Sequence, residues 1–509
     1  MTMWSTNIKI LRRRATRSSG RRSGFTLTEM LISVTLTLML MWGVAEIFSV
    51  VANSVNDSRS ILGMSDRLRA TKARLMMDLD GVTAPMNPPL SPGDNYGYWE
   101  LIEGYAGAHN PLSSCAINTD EGTEDTTAID YDDRIIFTTQ TMTNEPFIGR
   151  SGGGTMESRF AEVAWFVRGR TLYRRVKLIR PDRSPIAFNG GTFDSSYDLS
   201  ARLEGDPANP GTWAWIPNSL GDLTKRENRM YHLPVNPATK QAYLAANFPY
   251  NLYVIQDWQI LGFPTLGETS NSQWMLDFTG GTFSGGTLTS IDPTKTDPQK
   301  PDMGEIDFWR EPYPYEELDP VTGNLTAYQG SRLGEDVILT NVIGFDVKVW
   351  DPRAPILSYQ NQAIEPGDPG FGAAYAAKVA SGSWNPIDYG AFVDLGYGVP
   401  LGAPADLSDF SDNPEDKSGF QIASNKYTYI YDTWSTHYEN GGLSQNGLDD
   451  DPDGAGPLVA NGIVDDAEEL TTLPPYPVPL KAIQIKIRVF EPESRQIREV
   501  TIVHRFSKK

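Results

Sequence analysis

Residues 25–51 read FTLTEMLISVTLTLMLMWGVAEIFSVV, an almost wholly apolar run whose only charges are Glu29 and Glu46. At 1.5 Å per residue such a run forms a helix of roughly 40 Å, enough to cross a hydrocarbon core of about 30 Å. It therefore reads as a membrane span. Ahead of it stand Lys9, Arg12, Arg13, Arg14, Arg17, Arg21 and Arg22, with no acid among the first 24 residues. Positive flanks are retained on the cytoplasmic side, so residues 1–24 are expected in the cytoplasm and the remainder is expected to be exported.

Three readings of this segment compete. A secretory signal would end a shorter apolar region at a small-residue cleavage site, whereas this run continues into an amphipathic helix. A plain membrane anchor accounts for the length and the charge bias but not for Glu29. A carboxylate four residues inside an apolar run is costly unless it is paired, which makes an intramembrane acid a functional position by default. On this reading Glu29 needs a cation.

The string Arg21-Arg22-Ser23-Gly24-Phe25-Thr26-Leu27-Thr28-Glu29 resembles the processing site of type IV prepilins and type II secretion pseudopilins. The resemblance implies that a prepilin peptidase cuts after Gly24 and methylates Phe25, the new amino-terminal residue. It also implies that Glu29, fifth in the mature chain, pairs with the amine of a neighbouring subunit in a filament's apolar core. The residue types suit these tasks. Gly24 has no side chain to obstruct a peptidase, and the basic leader holds the site at the cytoplasmic surface. One departure is informative: major type IV pilins usually carry a helix-kinking proline at the twenty-second mature position, where this chain has Glu46. No proline occurs between Phe25 and Thr83, which favours a straight helix and a minor component over a main pilus subunit.

Beyond the span the helical period continues through Ile61, Met64, Leu68, Leu75 and Leu79 until Gly81, followed by Pro85, Pro88, Pro89 and Pro92. One helix is expected from about 26 to 80: residues 25–51 in the membrane and 52–84 as an amphipathic exported half. The apolar stripe of that half suits docking onto a sheet, with a coiled-coil partner as the alternative. Further on, the apolar period becomes two. Strands are expected at Arg134–Thr139, at Ala161–Val167 with Thr171–Ile179 as a hairpin, and at Val337–Trp350. A last pair carries Ile483, Ile485, Ile487 and Val489, then Val500, Ile502 and His504. No alternating strand–helix series occurs, which disfavours a parallel doubly wound sheet and leaves an α+β fold with antiparallel strands.

This order resembles the J-type minor pseudopilin of type II secretion, and W-type minor pilins share the scheme. The resemblance implies a pilin-like fold in which the long amino-terminal helix packs on an antiparallel β-sheet, with residues 85–509 forming the exported β domain. The chain is much longer than that family requires. The excess falls in 181–332 and 351–475, rich in Gly, Pro, Asn, Asp and aromatics, and is expected as large loop-rich insertions, with a small inserted subdomain as the alternative.

Composition limits the chemistry. The 509 residues carry a net charge of -20, so a general phosphate-binding surface, and hence a nucleic-acid partner, is not expected. A lone cysteine, Cys115, forbids an intramolecular disulfide and multi-cysteine zinc sites. His109, His232, His437 and His504 lack metal-ligand spacing, and neither a nucleophile elbow nor a phosphate loop occurs, so no catalytic site is expected. One acidic cluster fits part of a calcium loop. Asn461, Ile463, Asp465 and Glu468 match its later positions, and Asp451 and Asp453 its first two, at the cost of six extra residues between the halves. The competing reading is a solvated acidic loop. The basic group Arg168, Arg170, Arg174, Arg175, Lys177 and Arg180 reads either as a solvated strand face or as a contact with an acidic neighbouring subunit.

The resemblance thus implies a non-enzymatic, single-pass protein of the bacterial inner membrane with its carboxy-terminal domain in the periplasm. Its implied partners are the prepilin peptidase, other minor and major pseudopilins and the inner-membrane platform of a secretion system, with no cofactor beyond possible calcium. Two rivals stand beside this reading. One is a minor pilin of a type IV pilus or DNA-uptake filament; the other is an exported enzyme or carbohydrate-binding module on a pilin-like stalk.

Overall fold

A computed structural model describes residues 25–88, 90, 94–103, 133–168, 170–187, 193–204, 212, 214–224, 228–232, 254–255, 260–261, 265–270, 317–318, 325–326, 331–366, 368, 371, 374, 386–395, 430–434, 476, 478–492 and 494–506. The chain divides into two compact units, Met1–Ser60 and Ile61–Lys509.

The first element, α1, runs unbroken from Leu27 to Asp80. It contains no proline to break it, its start is closed by local chemistry and its end by a strand. Thr26 caps the start. At the end, the Gly81 carbonyl accepts the Gln140 N–H at 2.7 Å. A Cβ on Gly81 would stand 2.0 Å from the Gln140 carbonyl oxygen, so only glycine allows the chain to leave the helix directly against a strand.

In the first unit, residues 27–52 form a predominantly apolar run, with no part of its most apolar stretch buried, that is long enough to cross a membrane. In the second unit, the helix buries Met64, Leu68, Leu75 and Leu79 of the expected stripe together with Thr71 and Asp78, while Ile61, at the start of the stripe, is half-buried.

Eleven strands build two sheets in the second unit: β1 (Trp99–Ile102), β2 (Arg134–Gln140), β3 (Phe160–Arg168), β4 (Thr171–Leu178), β5 (Val337–Thr340), β6 (Val342–Tyr359), β7 (Gln362–Ile364), β8 (Asp388–Val393), β9 (Ile430–Asp432), β10 (Ala482–Glu491) and β11 (Gln496–Arg505). The first sheet has the order β5-β4-β3-β2-β1-β9. The second has the order β7-β6-β10-β11, with β8 also paired to β6. All pairings between these strands are antiparallel.

The first sheet is buried on both faces. Trp99, Leu101, Ile135, Phe137, Val163, Trp165 and Val167 share a core with the helix stripe, while Tyr98, Ile102, Ile136, Ala164, Phe166 and Tyr173 pack in a second core with Leu223, Met230, Tyr231 and Trp434. Alternation along β3 explains the division: odd residues face the helix and even residues face the covering chain. Part of the first long insertion is therefore a third layer over the sheet.

Two expectations change. The segment Val337–Trp350 was expected as one strand but is split at Asn341, whose φ of 59° lies in the left-handed region that Asn tolerates. The turn sends β5 to the first sheet and β6 to the second. The strand β6 also continues to Tyr359, and β9 joins the first sheet, so the stretch expected as a loop-rich insertion at 351–475 contains regular sheet.

Candidate processing and assembly site

The amino-terminal site is built by four consecutive residues. Thr26 Oγ1 accepts the Glu29 N–H at 3.2 Å, and Glu29 Oε2 in turn accepts the Thr26 N–H and hydroxyl, each at 2.9 Å. The Thr26 carbonyl accepts the first helical bond, from Met30 N–H at 3.1 Å. This is the reciprocal capping arrangement that the pattern Thr-x-x-Glu encodes, with two otherwise orphaned donors satisfied at once. The carboxylate also stands at the positive end of the helix dipole. Glu29, expected to require a cation, has local donors in the single chain.

Phe25, immediately before the cap, is 83% exposed, and Gly24 lies outside the described residues. The peptide linkage between them thus adjoins an exposed residue outside the helix. Further along, the hydroxyls of Ser33, Thr35 and Thr37 donate to carbonyls three or four residues earlier, at 2.7–3.0 Å. Such back-bonding hides polar groups within the helix, as a hydrocarbon surrounding demands.

A family model for the prokaryotic N-terminal methylation motif matches residues 19–45. The chain carries a prepilin-type methylation motif. The motif indicates a prepilin-peptidase substrate of the type IV pilin kind, a class whose members assemble with other pilins, and together with the apolar helix it fits anchoring in a membrane. The match ends within the apolar run. No curated protein and no solved structure matches the chain.

The basic group divides: Arg170 is exposed and Arg180 pairs at the surface, as a solvated face would have it, while Arg174, Arg175 and Lys177 meet acids of the same chain. Arg174 forms a two-pronged ion pair with the buried Asp78 of α1, Nε to Oδ2 at 2.6 Å and Nη2 to Oδ1 at 2.8 Å. Trp165 Nε1 donates to the same carboxylate at 3.0 Å. Arg175 and Lys177 meet Asp194 at 3.0 and 3.3 Å, and Arg180 meets Asp182 at 2.6 Å. Burial pushes the Asp194 carboxyl up, but Lys177 and Arg175 outweigh it and hold the group below its ordinary value. Arg174, Arg175 and Lys177 are matched within the chain because helix and insertion bring Asp78 and Asp194 to the strand, acids that sequence distance conceals.

A second polar seam fastens the covering layer. Buried Arg229 meets Asp432 at 2.6 Å and Glu100 at 3.1 Å, lies 4.2 Å from the Tyr98 ring centroid, and donates to the carbonyls of Leu223 and Thr224. His232 Nε2 stands 2.9 Å from Glu100. Glu162 accepts from the Tyr98 hydroxyl, Ser200 and the Met230 N–H at 2.6–2.8 Å. Burial, reinforced by Glu162, pushes the Tyr98 hydroxyl well above its ordinary value. The seam joins both long insertions to β1 and β3, a role no local pattern signals. The residues read as a calcium loop, Asp451, Asp453, Asn461, Ile463, Asp465 and Glu468, lie outside the described residues. Among the described residues no group of three or more His, Cys, Asp or Glu is placed to hold a metal.

Proposed function

We propose that this protein is a minor pseudopilin of J-like type, cut between Gly24 and Phe25, methylated on Phe25, and assembled near the tip of a short type II secretion filament. It acts by assembly, without catalysis of its own. The leader lies in the cytoplasm and the β domain in the periplasm of the inner membrane. The carrying observation is the methylation motif at residues 19–45, set on an apolar helix that continues to Asp80 without a proline break. The Thr26–Glu29 cap supports the assembly role. It holds the carboxylate at the helix start, close in sequence to the amine that cleavage would free, ready to exchange backbone donors for a full positive charge.

Mass spectrometry of the membrane fraction tests the processing step. The expected amino terminus is methylated Phe25; an intact Met1 terminus in cells with active peptidase overturns the reading. Deleting the protein separates secretion from its runner-up. Loss of protein secretion with pili intact supports the proposal, whereas loss of a pilus or of DNA uptake with secretion intact assigns the chain to a minor pilin.

A further inference from the structure

The strand β11 is paired with β10 along its full length, from Ala482↔Arg505 to Glu491↔Gln496, and has no strand on its other side among the described residues. Phe506 donates its N–H to the Lys481 carbonyl at 3.0 Å, so even-numbered residues turn their backbone groups towards β10. Antiparallel alternation then turns the backbone groups of Ile497, Glu499, Thr501, Val503 and Arg505 outward. The Thr501 carbonyl illustrates this, because it accepts from Lys72 Nζ at 3.3 Å rather than from a neighbouring strand.

Sheet edges are usually blunted by proline, a bulge, shortness, charged side chains or a covering element. This edge has no proline, bulge or shortness: it is ten residues long, without glycine, in unbroken register, and carries the β-branched run Val500-Thr501-Ile502-Val503. Its protection is by charge, from Arg498, Glu499 and Arg505, and by Lys72 of α1 at one outward carbonyl. Ile497 and Val503 are 41% and 47% exposed. The edge also carries more basic than acidic residues on an acidic protein. Arg495, Arg498 and Arg505 lie on or beside it and Lys486 and Arg488 on the adjoining strand, against Glu491 at the hairpin end, Asp80 at 3.6 Å from His504, and Glu499 at 3.6 Å from Arg488.

We propose that β11 is a docking site where an extended acidic segment of another exported protein adds as a further strand. Main-chain hydrogen bonds supply affinity, and the arginines select the partner's charge. The docking edge is read from β11 alone and does not depend on the processing motif; that its partner is exported rests on the orientation proposed above.

The test uses the full-length protein in detergent micelles, with two synthetic octapeptides that alternate Val with Glu or Val with Lys. The Glu peptide is expected to bind, more weakly as salt is added. Val503→Pro removes one outward N–H at an edge position that accepts proline, and should weaken binding by about tenfold. The double variant Arg498→Glu/Arg505→Glu, at exposed side chains, should reverse the preference between peptides and serves if Val503→Pro melts early. Equal binding of both peptides, or binding indifferent to the charge reversal, overturns the proposal. In cells, a photo-crosslinking residue at position 503 should join to an acidic stretch of a different protein, and this adduct should be lost in the double variant. Adducts only with a second copy of this chain, or only with lipid, overturn it.

Discussion

Two carboxylates of α1 occupy apolar stripes at opposite ends of the same helix, and they are satisfied in opposite ways. Glu29, in the first turn, meets backbone and hydroxyl donors three residues away. Asp78, in the last turn, meets Arg174 and Trp165 at hydrogen-bond distance, almost a hundred residues away in sequence, and only a longer contact of 3.9 Å joins it to Arg74 on the same helix. The difference follows from helix polarity. The first turn leaves N–H groups unpaired and carries partial positive charge, so an acid there finds donors locally; the last turn leaves carbonyls and partial negative charge, so the close hydrogen-bonded cation of Asp78 comes from a strand. No basic residue occupies the last turn of α1.

On stability, the sharpest way to break this comparison is Asp78→Ala. It leaves the Arg174 guanidinium buried without its counter-charge and should cost roughly 3–5 kcal/mol, read as a fall in Tm of the purified protein. Combining it with Arg174→Met should recover much of that loss, because no buried charge is then left alone. A single-variant cost below about 1 kcal/mol would show that Asp78 does not depend on its distant partner.

A third carboxylate sharpens the contrast. Asp346, on β6, is pushed up to about 6 by burial, against the opposing charge of Lys348 at 3.9 Å. Its proton is held more tightly in the folded state, so its contribution to stability is full below about pH 4 and is lost as pH rises through about 6. Asp346→Asn should therefore gain roughly 1–2 kcal/mol at pH 7, after discounting for partial exposure, and flatten the Tm profile between pH 4 and 6.

Calcium distinguishes the two readings of the acidic loop. A calcium loop requires a rise in Tm on titration that Asp451→Ala and Glu468→Ala abolish; a solvated loop leaves Tm unchanged.

The smallest effect on Tm belongs to Glu29→Ala, whose partners are all in the cap. The transition of the β domain should stay in place and cleavage after Gly24 should persist, while incorporation into filaments falls. A Tm shift as large as that of Asp78→Ala would erase the distinction between local and imported partners.

What could be read in advance follows the same division. The stripe Met64, Leu68, Leu75 and Leu79 and the alternation of Ile483, Ile485, Ile487 and Val489 were legible because burial on one side imposes a period on the chain. The strand Trp99–Ile102 was missed because four residues buried on both faces have no alternation to detect. The break at Asn341 was missed because its neighbours Thr340 and Val342 are both β-branched strand formers, and only the left-handed φ of the asparagine separates two sheets. Arg229 was invisible as a seam. Its acids, Glu100 and Asp432, come from strands far away on either side of it in the chain.

The amino-acid order alone determined the apolar span, the methylation motif and the Thr26–Glu29 cap, because each depends on neighbours within a few residues or on the summed hydrophobicity of a continuous run. Only the tertiary structure decided that the arginines of β4 serve the helix and the insertion, that the first sheet is covered on both faces, and that β11 is left as a basic edge. Those outcomes turn on which distant acids, apolar surfaces and strands reach the same place, and burial energy fixes that arrangement without leaving a local pattern to read.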